Sequence, residues 1–271
     1  MNLCERVAVV TGAASGIGRG ITLALARRSC HLAIADVDAA GLAETAALLK
    51  GVHVTTHVLN VTDREACLAL PAAVLAGHGR VDLLVNNAGV AIGGTFEQVD
   101  EADFDWLMQV NFHAVVRLTR AFLPHLKQSD KARIVNMSSL FGLIAPPGQS
   151  AYCAAKFAVR GFSESLRREL EEARSSVGVS IVHPGGVATS IARNARPPRY
   201  ISSEEAKAML ADKARFEKLL SLSPFDAGEI IVSGIEKERA RILVGKDARI
   251  AALIERIAPV GYWSLLKRSM R

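Results

Sequence analysis

The chain has 271 residues, of which 50% are hydrophobic, and 33 Lys+Arg stand against 27 Asp+Glu for a net charge of +6 and a sequence pI near 9.3. That length and apolar content can bury one large core or two small ones. The positive excess is modest and carries no basic recognition motif, so a nucleic-acid partner is not expected, and the charge is read as solubility with some pull on anionic ligands.

Taken in chain order, short apolar runs rich in β-branched residues alternate with longer helical patterns. Residues 6–12 (RVAVVTG) predict a buried strand, 17–28 a helix, 31–36 a second strand and 39–50 a second helix. Strands are expected at 53–60, 82–89, 133–139, 179–186 and 241–245, with helices at 63–79, 101–127, 151–174 and 226–239. Near-continuously apolar strands alternating with helices imply a parallel sheet covered on both faces, an α/β doubly wound fold. One domain over 1–271 is expected, interrupted by an insertion at 190–223. There Pro197 and Pro198 break the backbone, and Ser203 before Glu204 and Glu205 reads as a capped helix start. Because a strand begins almost at once, no signal or transit peptide is expected. The longest chargeless run, Ile134 to Ala155, contains Asn136, Ser138, Ser139, Pro146, Pro147 and Gln149, which is unlike a membrane span. Cys4, Cys30, Cys67 and Cys153 show no metal-ligand spacing and read as free thiols in a reducing, cytoplasmic setting. No metal is expected, and His53 and His57 read as exposed polar positions on one strand face.

TGAASGIG at 11–18 is a Gly-rich turn between the first strand and first helix. Gly12 permits a tight turn, Gly16 lets the backbone approach a pyrophosphate, and Gly18 permits close helix–strand contact. Alone, such a turn can be a plain connector. Asp36 closes the second strand at the spacing of an acid that grips ribose hydroxyls, though a lone Asp can also cap a turn. A carboxylate there repels a 2′-phosphate. Ala13, Ala14, Ser15 and Val37 supply no base to offset it, which favours NAD over NADP.

TGAASGIG, NNAG at 86–89, Asn111, Ser139, YCAAK at 152–156 and PGGVAT at 184–189, in this order and spacing, resemble the short-chain dehydrogenase/reductase family. The likeness spans about 6–190 and returns at 226–245. It implies a Rossmann-type fold with seven parallel strands, a nicotinamide cofactor, and a carbonyl or secondary-alcohol substrate. By resemblance Ser139, Tyr152 and Lys156 are catalytic, with Asn111 supporting a water-linked proton relay. Cofactor contacts are implied for Gly12, Ser15, Gly16, Ile17, Gly18, Asp36, Asn60, Val61, Asn87, Ala88, Gly89, Tyr152, Lys156, Pro184, Gly185, Val187 and Thr189. Asn60 stands where the family often has Asp against the adenine. The helices at 101–127 and 151–174 are expected to pair with a second copy, giving a homodimer or homotetramer.

Tyr152 and Lys156, four apart on a helix, share a face. An unperturbed Tyr titrates near pH 10, so a neighbouring ammonium is expected to favour phenolate and lower that value. Tyr152 then serves as base toward an alcohol or acid toward a carbonyl. Lys156 also holds the nicotinamide ribose, and Ser139 stabilises charge on the substrate oxygen. Ile191, Ala195, Met209, Leu210 and Phe216, with Leu140, Phe141 and Ile144, suggest an apolar pocket wall under a mobile segment. The alternatives are a cofactor-binding regulator or scaffold without catalysis, and a lipid-substrate reductase held peripherally at a membrane. The tail at 250–271 bears on the second: Ile250, Leu253, Ile254 and Ile257 form a stripe expected to pack on the protein itself or a partner subunit, with a membrane surface as the less favoured reading.

Overall fold

Seven strands, β1 (Val7–Thr11), β2 (His31–Asp36), β3 (Val54–Val58), β4 (Leu83–Asn86), β5 (Ala132–Met137), β6 (Val177–Pro184) and β7 (Arg241–Val244), form one parallel sheet in the order β3-β2-β1-β4-β5-β6-β7. The coordinates are a computed structural model, which describes residues 1–191, 193–202, 204–205 and 220–269. The described helices are α1 (Gly16–Ala26), α2 (Ala39–Leu48), α3 (Arg64–His78), α4 (Glu101–Met108), α5 (Ala114–Leu126), α6 (Ser150–Glu172), α7 (Pro224–Glu236), α8 (Lys246–Ile257) and α9 (Tyr262–Ser269).

Alternation along each strand builds two cores from one sheet. Ala8 and Val10 of β1, with Leu83 and Val85 of β4, join one cluster with Ile21 and Leu25 of α1 and Ile231 and Ile235 of α7. Val9 and Leu84 point the other way, into a cluster with Val74 of α3, Leu118 and Phe122 of α5 and Leu166 of α6. Helices therefore cover both faces. Asp38, Asp63, Asp100 and Ser223 cap α2, α3, α4 and α7 by accepting the amides of Gly41, Ala66, Asp103 and Asp226. Where α1 crosses α7, a Cβ on Gly20 would lie 2.1 Å from Pro224 O, so glycine alone permits that approach.

The expected helix at 101–127 is present but not α-helical throughout. Between α4 and α5, Gln109–His113 form a π-helical segment, a widening that recurs at functional sites. Chain order reverses between β1 and β4, so the crevice for a ligand opens at their carboxyl ends. Of the apolar wall expected in the insertion, Met209, Leu210 and Phe216 lie outside the described residues, as does Ser203.

The tail forms α8 and α9; of its apolar stripe Ile254 is half-buried, while Ile250, Leu253 and Ile257 are 57, 59 and 74% exposed on this chain. The small Ala248 and Ala251 face inward instead. Among the described residues no helix is long and apolar enough to cross a membrane.

Candidate functional site

The glycine turn follows β1 directly and is held by its neighbours. Gly12 has φ +67°, and a Cβ there would come within 2.8 Å of Ala88 Cα; one on Gly18 would meet Gly12 O at 1.9 Å. Asn87 Nδ2 donates to the carbonyls of Thr11 (2.9 Å) and Gly12 (3.1 Å), while Thr11 Oγ1 accepts from the amides of Asn87 and Ala88. Asn86 Nδ2 meanwhile donates to Asn136 Oδ1 at 2.8 Å, tying β4 to β5. Thr11 was invisible as a site residue in the sequence, because a strand-end Thr is ordinary.

Ser15 is the N-cap of α1 but makes no side-chain cap bond, and no acid occupies the first turn, where Ile17 follows Gly16. The amides at that helix end and its positive pole therefore suit a phosphate. Thr189 borders the same opening, with its Cγ2 3.4 Å from where a Gly16 Cβ would stand.

Asp36, at the end of β2, accepts from Ala14 N (3.0 Å) and Asp38 N (3.1 Å). A carboxylate has about four lone-pair positions, so two remain for ribose hydroxyls. Val37 beside it is 68% exposed, an apolar edge. Arg19, a basic side chain that reaches this turn, is taken up by Thr45 Oγ1, by the carbonyls of Ala14 and Gly41, and by Glu44. It is not offered to a 2′-phosphate. Asn60 Oδ1 accepts from Thr62 N and Oγ1, leaving its amide NH₂ for a base. Val61 is buried, and its carbonyl accepts from Arg117.

The loop after β6 is anchored from α8. Asp247 Oδ2 accepts from Gly186 N at 2.6 Å, and a Cβ on Gly185 would sit 2.2 Å from that carboxylate. Gly185 N donates to Val244 O, extending the register beyond Pro184. Val187 is buried and pairs with Leu222, and Ala188 N donates to Leu222 O. The Val187 side chain thus joins the core, not the crevice. Asp247 was missed because it lies about sixty residues from the loop it holds.

At the centre, Ser139, Tyr152, Lys156, Gly89 and Asn111 come together. Ser139 caps the short 3-10 turn Leu140–Gly142: its Oγ accepts from Phe141 N at 3.1 Å, and its carbonyl accepts from His183 Nδ1 at 2.9 Å. His183 is fully buried, and burial pushes its pKa down to about 4. Neutral at working pH, it keeps its proton on Nδ1 and so fixes where Ser139 points. Lys156 is buried on α6; its Nζ donates to Met137 O at 3.1 Å and lies 5.5 Å from the Tyr152 ring centroid. A Cβ on Gly89 would stand 3.3 Å from Asn111 Oδ1 and 3.7 Å from Lys156 Nζ, so glycine leaves open the space between them.

Asn111 was expected within a helix at 101–127, supporting a water-linked proton relay. It sits in the π segment, and both ends of its amide bond the backbone of Val90, Oδ1 accepting from the N–H and Nδ2 donating to the carbonyl. The side chain thereby clamps the turn after β4. The expected lowering of the Tyr152 pKa is also corrected. Burial dominates, against hydrogen bonding from Ser139, and pushes the phenol up to about 12; the same desolvation lowers Lys156 to about 8. Lys156 Nζ is thus engaged by Met137 O and not by the phenol oxygen. Around Tyr152, Phe141 packs edge-on at 6.1 Å, and Ile92, Leu107, Phe104, Trp106 and Met108 belong to its apolar cluster.

Residues 196–200 strap over this wall. Arg196 N donates to Ala91 O, and its guanidinium stacks 3.4 Å from the Trp106 ring centre while pairing with Asp103. On the far edge of the sheet His53 is exposed, but His57 shares Thr55 Oγ1 with His78. Among the described residues no group of three or more His, Cys, Asp or Glu is arranged to hold a metal.

A family model described as short chain dehydrogenase matches residues 6–199. The chain is 46% identical over 264 residues, 96% of its own length and 94% of the relative's, to SadH of Mycobacterium tuberculosis, a protein named as an oxidoreductase. Among solved structures, a short-chain dehydrogenase/reductase from Burkholderia phymatum in complex with NAD superposes with TM-score 0.87 at 30% identity, covering 95% of each chain. A metagenomic short-chain oxidoreductase in complex with NADP gives TM-score 0.71 at 28% identity, covering 90% of this chain and 98% of that one.

Proposed function

The chain belongs to the short-chain dehydrogenase family, and from that premise we propose that it interconverts an apolar ketone and a secondary alcohol, with NAD preferred to NADP as the cofactor. The observation that carries this reading is the meeting of the partly buried Tyr152 phenol with the Ser139 hydroxyl and the Lys156 amine beside Gly89. The cofactor, when bound, supplies the hydride for reduction and takes it up in oxidation. Everything else is work for this chain's own side chains.

In the reducing direction the Tyr152 O–H bond breaks and an O–H bond forms on the substrate oxygen as its carbon receives the hydride. The raised phenol pKa keeps that proton in place until the transition state needs it. Ser139 Oγ, held on its turn by Phe141 N and through its carbonyl by His183, donates to the same oxygen and stabilises its growing charge. Lys156, protonated over most of the neutral range at a pKa of about 8, steadies the phenolate left behind and holds the nicotinamide ribose. Asn111 keeps Gly89 and Val90 clear of that space. Alcohol oxidation reverses each step and requires the phenol to lose its proton, so it is favoured at higher pH.

Gly12, Ser15, Gly16, Ile17 and Gly18 would hold the pyrophosphate and Asp36 the adenosine ribose. Asn60, Val61, Asn87 and Ala88 would line the adenine side, and Pro184, Gly185, the Val187 backbone and Thr189 would close over the nicotinamide. The apolar cluster at Tyr152 supports a hydrophobic substrate. One domain, and a homodimer or homotetramer across the outer helices, belong to the same reading; Phe157 on α6 is 39% exposed. NADH consumption against a panel of cyclic and long-chain ketones and a set of sugars tests it. Turnover of the ketones over the sugars is expected. Tight NADH binding with no turnover of any carbonyl would instead identify a cofactor-binding regulator.

A further inference from the structure

Helix α8 carries its amphipathic pattern inside out. Its small residues Ala248 and Ala251 are buried, and Ile250, Leu253 and Ile257 face solvent on one stripe. The stripe continues through Val260, 94% exposed, to Leu265 on α9 at 47%. Lys246, Arg249 and Arg256 are exposed along the same helix, and Lys267 along α9. From 246 to 268 there are five bases (Lys246, Arg249, Arg256, Lys267, Arg268) and two acids (Asp247, Glu255), a net +3 and so half of the chain's +6. One of those acids, Asp247, is spent on Gly186 N.

We propose that α8 and α9 form a docking surface for an anionic lipid bilayer, with the aliphatic stripe at the acyl boundary and the bases among the headgroups. This goes beyond the redox reading and does not depend on it. Charge complementarity selects the occupant. A second copy docking by the same stripe would bring Arg249 and Arg256 against their counterparts, a like-charge arrangement that disfavours association. A negatively charged surface meets the same bases favourably. The surface is also joined to the crevice: Tyr262 Oη accepts from Ala145 N at 2.9 Å, and α8 packs against the Leu140–Gly142 turn that follows Ser139. Docking therefore sets the rim of the substrate cleft beside the lipid.

Sedimentation of the full chain with vesicles tests this, using phosphatidylcholine alone and phosphatidylcholine mixed with phosphatidylglycerol. The wild type should sediment with the mixed vesicles, at least roughly tenfold more weakly with the neutral ones, and less as salt is raised. Because Leu253 and Ile257 point outward, Leu253→Glu/Ile257→Glu should reduce vesicle binding by about tenfold or more while keeping the melting temperature and NADH turnover. Wild-type protein left in the supernatant with mixed vesicles overturns the proposal, as does a double variant that binds equally well. Light scattering that shows the double variant losing an oligomer, with neither protein captured by vesicles, assigns the stripe to a second copy instead.

Discussion

Replacing Asp36 with Asn should erode the preference for NADH without dismantling the turn. The carboxylate accepts from Ala14 N at 3.0 Å and from Asp38 N at 3.1 Å, and the amide oxygen of Asn can keep at least one of these bonds. What disappears is the negative charge where a 2′-phosphate would lie. Two unit charges about 4 Å apart repel by about 1 kcal/mol in water and about 4 kcal/mol at a protein surface. A phosphate carries roughly −1.5 to −2, and Asp36 is only half-buried, so ~2–4 kcal/mol is a fair range. At about 1.4 kcal/mol per factor of ten, that is a preference for NADH of roughly 30- to 700-fold. Arg19 does not offset it, since Thr45, Ala14, Gly41 and Glu44 already occupy its guanidinium. The assay is the ratio of kcat/KM for NADH and NADPH in wild type and Asp36→Asn. A wild type that uses both equally, or a variant whose ratio stays put, would refute the electrostatic argument.

Two further outcomes follow from the same geometry. Asp247→Ala removes a charged acceptor from Gly186 N, worth about 1.5–3 kcal/mol, so the loop should loosen and the NADH Kd rise roughly ten- to a hundredfold in a fluorescence titration; Asp247→Asn should lose less, and an unchanged Kd for the Ala variant would contradict the anchoring role. His183 and His78 both sit near 4 in the folded chain against an ordinary 6.5, so between pH 6.5 and 4 the unfolded chain takes up protons that the folded one refuses. Stability should fall with pH across that window and be flat above it as far as these two groups are concerned, with His183 alone withdrawing about 3 kcal/mol. The depressed carboxylates, such as Asp130 and Glu238, begin to lose their contribution below about pH 5 and add to the decline at the acid end of that window. Melting temperatures that do not decline between pH 6.5 and 4.5 would therefore count against the buried neutral imidazoles.

The strands were legible because nearly continuous apolar runs such as VAVVT and HLAIAD admit few other readings, and their alternation feeds two cores. The helix ends were legible where Asp38, Asp63, Asp100 and Ser223 supply caps. The π segment at Gln109–His113 was not, since widening by one residue leaves the apolar periodicity almost intact. In the site, the spacing of Tyr152 and Lys156 puts both on one face, but spacing carries no information about solvent. Burial sets the phenol at about 12 and the amine at about 8, the opposite balance from that expected of an ion-paired phenol. Thr11, His183 and Asp247 act through contacts distant in sequence, on Ala88, Ser139 and Gly186, and no local pattern marks them. The tail stripe was visible as a stripe, while its outward direction depended on Ala248 and Ala251 winning the inner face.

Turnover of Tyr152→Phe, measured beside its NADH affinity, tests the account most directly. Loss of the hydroxyl removes one proton-transfer group, worth about 10²–10⁴ in rate, and leaves the ring among Ile92, Leu107 and Phe141. The expected result is kcat lowered by at least about a hundredfold with the NADH Kd changed little. Turnover equal to the wild type's would contradict the proton-donor role on which the chemistry rests.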